Sequence, residues 1–408
     1  MQTLQQYCHP NFSRAITMAL IVGLAIVFVS ASDAHAQRRK SAIGGKGEAT
    51  DKKTPVPQGN QPPKANQPTI KQPAANQPNK KTETDEKFAP QVVSMTVKRE
   101  GIQLVATWFP PIIEEDAKKK KEKKKANPAD AKAEDPEPGK SVAPFILVHD
   151  WTRSRNDLLR LAFFLQSQGH AVIVPDLRGH GESVRVAGMA EPIDHTKFKK
   201  AEQASAVGDI DQCKRFLQEK NNEGLVNIDL LNVIAVGDSS HLAIAWAIAD
   251  WSWEPVGGIK QGKDVKSLVL FSPSSRFAGS SLKKLAKSPL ISGRDSPPLP
   301  MLVIWGGQSD SAEGCSDFVN LLRKNRPEVG ANQSDATRWQ TQNLFDLEAP
   351  TSMEGYQLAG NPNAGQIWIF ANNFVSQKVM KFRKQFSWQV RGADAILKAR
   401  EAEAEKDK

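Results

Sequence analysis

Hydrophobic residues in this chain change their spacing several times, and each change marks an element. Val93, Met95 and Val97 alternate with polar residues, and Arg99-Glu100-Gly101 turns the chain into a second apolar run at 104–109. Alternation on both sides of a turn predicts a β-hairpin. Beyond it the apolar runs become short and continuous, at 144–149, 171–174, 232–236, 265–271 and 301–305. Such runs read as buried strands. Between them the spacing is helical. Leu158, Leu161, Ala162 and Leu165 share one face of a helix predicted over 156–168, and further helices are predicted over 240–249, 312–324 and 366–381. Strands alternating with helices predict an α/β fold: a mainly parallel sheet with helices on both faces, to which the hairpin adds an antiparallel edge.

The flanks do not share this patterning. Arg14 precedes an apolar stretch at 15–29, and Ala34-His35-Ala36 puts small residues where a signal peptidase reads. This predicts a secretory signal over 1–36 and a secreted or periplasmic bacterial protein. An N-terminal membrane anchor is the alternative, although the stretch is short of the ~20 residues that span a bilayer. Residues 37–91 carry three Asn-Gln-Pro copies among lysine and threonine, a composition that predicts a disordered linker. The globular domain is expected over 92–390, interrupted by a lysine-rich loop at 114–140 and followed by a charged tail at 391–408.

Charge narrows the choice of partners. Of the 408 residues the formal net charge is +10, and a block from Lys118 to Lys125 holds seven lysines broken only by Glu122. A run of this kind is solvated and can touch an anionic envelope polymer nonspecifically. No aromatic residue interleaves with it, so specific nucleic-acid binding is not expected. Cys213 and Cys315 are the cysteines beyond the leader, enough for one bridge in an oxidising compartment and too few for a disulfide framework. No cysteine–histidine spacing suggests a metal, and no motif suggests a cofactor.

Three segments fall at the carboxyl ends of predicted strands, where α/β sheets carry their functional loops. They are His149-Asp150-Trp151, then Asp176-Leu177-Arg178-Gly179-His180-Gly181-Glu182-Ser183, and Gly237-Asp238-Ser239-Ser240-His241. Together they resemble the α/β-hydrolase superfamily, in its esterase, lipase and serine-aminopeptidase-like branch, over roughly 92–390. The resemblance implies an α/β-hydrolase fold with Ser239 as nucleophile on a strand-to-helix elbow. It also implies oxyanion donors from Ser240 and from the Asp150-Trp151 loop, and Asp310 as the acid, with Asp317 as second choice. His149 and His180 would be hydrogen-bonded loop residues.

At the histidine the pattern fails. The family places its base after the acid, and this chain has no histidine after His241. In the stretch 350–356 Glu354 stands where the family has His-Gly, and a carboxylate with an ordinary pKa of ~4.3 is a far weaker base than imidazole. His241 occupies a position that is usually glycine. Asp150, in place of the usual glycine after His149, would oppose negative charge developing on a substrate oxygen. Two functional readings stay open. One is a catalytically impaired homologue, a pseudoenzyme with a binding role at the cell envelope. The other is an active serine hydrolase, esterase or peptidase-like, that acts on a small ester, an amide or a peptide through Ser239 and Asp310, with Glu354 or His241 as an unconventional base. A third, wall attachment through the basic insert and linker, needs no site in the domain.

Overall fold

The computed structural model describes residues 88–113, 138–256, 259–294, 297–326 and 334–392. The predicted leader, nearly all of the linker, residues 114–137 of the lysine-rich insert and residues 393–408 of the tail lie outside them. Strand β1 (Gln91–Val97) and strand β2 (Ile102–Phe109) form the predicted hairpin, in antiparallel register from Gln91↔Trp108 to Val97↔Ile102. Gly101 closes the turn at φ 70°, a conformation that glycine adopts without Cβ strain.

The continuous apolar runs become the central strands. These are β3 (Pro144–Val148), β4 (Ala171–Pro175), β6 (Leu231–Val236), β7 (Val265–Phe271) and β10 (Met301–Gly306); a sixth strand that no apolar run marks, β11 (Leu344–Ala349, LFDLEA), joins them, all mutually parallel through their pairings. A two-residue strand, β5 (Arg185–Val186), pairs with β2, and β8 (Arg276–Phe277) with β9 (Ser280–Ser281) makes a separate ribbon. The main sheet runs β1-β2-β4-β3-β6-β7-β10-β11. An antiparallel hairpin at one edge, a β4–β3 inversion and then strands in sequence order is the α/β-hydrolase arrangement, so the expected fold is the one observed.

Strands β3, β4, β6 and β10 are buried at every residue, which requires cover on both faces. Helices α1 (Leu159–Ser167) and α5 (Gly365–Lys378) pack together, as do α2 (Val207–Asn222) and α3 (Ser240–Ser252), while α4 (Ala312–Arg323) packs on β10 and β11. The predicted first helix begins as a 3-10 turn, Arg155–Leu158, and the last one passes from α5 into another, Met380–Gln385. Cys213 and Cys315 are both buried and free, so no bridge joins them. Among the described residues no helix is long and apolar enough to cross a membrane.

Past α5 the chain is strapped back onto the body. Trp388 Nε1 donates to Asn221 O at 3.1 Å, and Asn227 Nδ2 donates to Phe386 O at 2.9 Å. Arg391, placed in the tail by its sequence position, is 1% exposed and pairs with Asp229 and Asp264, each at 2.9 Å. The body therefore runs through Arg391. Burying a guanidinium is tolerable there because two carboxylates meet it.

Candidate active site

The segment after β4 is a bracket held by charge. Asp176 accepts the Arg155 backbone N–H at 2.9 Å and the Glu182 N–H at 3.0 Å, and its carboxylate is paired with the Arg155 guanidinium. Arg178 binds Asp209 through both Nε and Nη2 and reaches Glu100 at 2.6 Å. Ser183 Oγ accepts Val105 N–H and donates to Asp176 O, both at 2.8 Å. His149 Nε2 accepts Leu177 N–H at 3.0 Å, so Nδ1 carries the proton and donates to Asp150 O at 2.7 Å. Burial and the neighbouring His180 push the His149 pKa down to about 3. His180 presents its ring nitrogens to the carbonyls of Trp151 and Arg178. Both histidines are tied to backbone, which is the loop role the resemblance implies for them.

The same bracket fixes the loop after β3. Trp151 is 5% exposed and packs edge-on against His180 and obliquely against Phe277, with ring centroids 4.7 and 5.1 Å away. Its neighbour Asp150 turns inward. The Asp150 carboxylate accepts Thr152 N–H at 3.3 Å and also draws on Trp151 N–H. Burial, then the nearby Asp238 carboxylate, push its pKa up to about 6. The backbone donors of this loop thus face a carboxylate of the chain itself.

Gly237 follows β6 directly with φ 55°, and from it the chain passes through one 3-10 turn into α3. A Cβ built on Gly237 would overlap Asp150 Oδ2 and Cγ, far inside van der Waals contact. A Cβ on Gly355 (φ 50°), in the loop after β11, would lie 3.6 Å from the same oxygen. Two glycines on different loops therefore point their missing side chains at one carboxylate. Gly237 stands out in the sequence only as the first residue of a Gly-x-Ser signature, and Gly355 carries no signal of its own. The signature lies within a run of small residues at alternate positions, Ala235, Gly237 and Ser239.

Among the described residues no hydrogen bond joins the other sequence candidates to the Ser239 hydroxyl. Ser239 has ordinary helical backbone (φ −68°, ψ −10°), is fully buried, and its Oγ has no hydrogen-bond partner among the described residues. Ser240 Oγ is equally buried and unpartnered. His241 Nε2 donates to Ser274 O at 2.7 Å, while Nδ1 has no partner. Burial lowers the His241 pKa. Glu354 Oε2 accepts the N–H of Ser311, the residue that caps α4, at 3.2 Å. The acid turn and the loop after β11 are also sewn together by Gln308 N–H to Thr351 O at 3.0 Å. Asp310 and Asp317 are exposed. Among the described residues no group of three histidine, cysteine or acidic side chains is placed to hold a metal.

No protein-family model and no curated protein matches this chain. Among solved structures it is similar to a dienelactone hydrolase from Anabaena variabilis (15% identity, TM-score 0.42), covering 71% of this chain and 98% of the other. It is also similar to esterase 2 of Thermogutta terrifontis phosphoramylated by tabun (16% identity, TM-score 0.44), over 71% and 94% of the two chains. An acylaminoacyl peptidase from Pyrococcus horikoshii is matched at 11% identity and TM-score 0.43, over 72% of this chain and 42% of that one. The strand order defines the fold independently of these likenesses.

Proposed function

We propose that this chain is an α/β-hydrolase homologue whose hydrolytic centre is closed by its own Asp150, and that it acts by binding, at the bacterial cell envelope. One observation carries the reading. The elbow of a hydrolase of this fold holds its nucleophile in strained backbone directly after the strand, between two small residues. Here that conformation belongs to Gly237, in the frame Ala235-Val236-Gly237-Asp238-Ser239, and the space its side chain would fill is taken by the Asp150 carboxylate. In this frame Ser239 is the small residue that lets helix and strand approach.

The missing base fits the same account. Gly355 occupies the loop in which the histidine is expected, and its absent side chain is aimed at Asp150 Oδ2. A carboxylate among the loop N–H groups also stands where a substrate oxygen would gather negative charge. Loss of one such donor costs about 3 kcal/mol of transition-state stabilisation, and an anion in its place opposes the reaction further. Against an active centre on Ser239 stand its unpartnered hydroxyl, the use of Glu354 by Ser311 and of His241 Nε2 by Ser274. A serine without an adjacent base is a poor nucleophile.

A fluorophosphonate probe tests the reading on the purified mature protein. The expected result is no covalent labelling of a folded sample. Labelling that disappears in Ser239→Ala would overturn the closed-centre reading and restore the serine hydrolase. The envelope role rests on the predicted leader and the lysine block, and deletion of 114–137 should weaken retention at the envelope; unchanged retention would remove that support.

A further inference from the structure

The loop that carries Gly355 also lines, through Met353, Tyr356 and Gln357, a cleft of about 520 Å³. This falls in the range of about 300–1,000 Å³ typical of small-molecule sites. Asn156 and Arg160 line it from the start of the α1 region, and Met353, Tyr356, Gln357 and Asn361 line it from the loop after β11. No hydrolytic machinery is present there, but donors are. Arg160 is exposed, and among the described residues its guanidinium has no acidic partner. The one carboxylate of the lining, Asp157, is 3.8 Å from Arg153, whose guanidinium in turn lies 3.4 Å from the Tyr356 ring centroid. The charge left over in the cleft is therefore positive.

The neutral lining is rich in amides. Gln357 Oε1 accepts Glu354 N–H at 3.2 Å, which leaves its NH₂ group to the cleft. Asn156 makes no side-chain bond among the described residues, and Asn361 Nδ2 is held only by the weak acceptor Met353 Sδ at 3.6 Å. Side-chain amides both donate and accept, and so do the hydroxyls of a sugar. Gly360, also in the lining, packs against Asp157 O so closely that a Cβ would collide, which holds the two sides of the cleft together. A guanidinium favours a carboxylate, with which it makes charge-assisted bonds of about twice neutral strength.

We propose that this cleft binds an acidic saccharide, its carboxylate on Arg160 and its hydroxyls on Asn156, Tyr356 and Gln357. The proposal rests on the reading of the chain as a binder and supplies the chemical class of its ligand. The test is a calorimetric titration of the mature protein with trigalacturonate, with a neutral trisaccharide and with triglutamate as comparators. Expected are binding of trigalacturonate, no heat from the neutral sugar, and a loss of about tenfold or more in affinity for Arg160→Gln, as suits one charge-assisted pair. Tyr356→Phe should lose a few-fold. Absence of binding at millimolar trigalacturonate, equal binding of the neutral sugar, equal binding of triglutamate, or an unchanged Arg160→Gln would each overturn it. Arg160 is exposed, so its replacement leaves the fold intact. Fluorophosphonate labelling on the same preparation reports the closed centre separately, so either conclusion can fail while the other stands.

Discussion

The Asp150 carboxylate and a side chain on Gly237 exclude one another: the space is single, and Asp150 holds it. Gly237→Ala is therefore expected to destabilise the protein twice over, through positive φ at about 1–2 kcal/mol and through overlap with Asp150. In an Asp150→Gly background the second contribution should vanish. Chemical denaturation of the two single variants and the double variant measures this coupling, and additive losses would show that the two residues do not share the space.

Burial and Asp238 raise the Asp150 pKa from 3.8 to about 6. Between those values the folded chain holds a proton that the unfolded chain has released, so stability falls as pH rises through this window. Above about pH 6 the whole penalty is present, at most about 3 kcal/mol. Asp150→Asn should thus be more stable than the natural chain at pH 7–8, with the difference shrinking towards pH 4. Denaturation midpoints across that range check the sign.

Glu354 accepts the N–H of Ser311, the N-cap residue of α4, so Glu354→Ala should cost about 1 kcal/mol of stability, as the loss of one hydrogen bond does. Its reactivity toward a fluorophosphonate should stay where it was. A melting curve beside a labelling gel reads both quantities.

The charged bracket predicts a larger effect. Asp209 is fully buried and binds Arg178 at 2.7 Å, so Asp209→Ala leaves a buried guanidinium with the half-exposed Glu100 as its one carboxylate partner among the described residues and Ser205 Oγ as a neutral acceptor. The expected loss is about 3–5 kcal/mol, visible in the denaturant midpoint.

Restoring the centre is the converse experiment. A triple variant, Asp150→Gly with Gly237→Ser and Gly355→His, removes the plug and supplies a hydroxyl and an imidazole on converging loops. It should acquire fluorophosphonate labelling. A folded but unlabelled triple variant would count against the frame centred on Gly237.

The sheet was legible because its parallel strands are buried on both faces and so appear as unbroken apolar runs such as those of β6 and β10. The bracket was legible as a motif, since Asp176, Arg178, His180 and Ser183 stand close together in the chain, although its partners Arg155, Asp209 and Glu100 come from elsewhere in the sequence. The elbow was harder to read. Gly237-Asp238-Ser239 reproduces a Gly-x-Ser signature, yet the positive φ falls on its first residue, and backbone sign is not written in a spacing. Nor does the sequence say that Asp150 turns inward, or that Gly355, 205 positions away, meets it; these depend on how β3, β6 and β11 bring their loops together. Arg391 falls one residue past the domain end expected at about Val390, and no spacing in the sequence announces its burial, which comes with Asp229 and Asp264.

The strap at the end of the body has a consequence for the order in which the chain is finished. Asp264 and Arg391 are 127 residues apart and meet in the interior. A contact of that separation closes late, because the entropy of the long loop is lost before the pairing compensates for it. While the chain is being synthesised, the floor beneath β6 and β7 lacks its guanidinium until residue 391 has emerged. Until then lysines alone face the carboxylates of Asp229 and Asp264, so the arginine joins a cluster whose other ion pairs can already have formed.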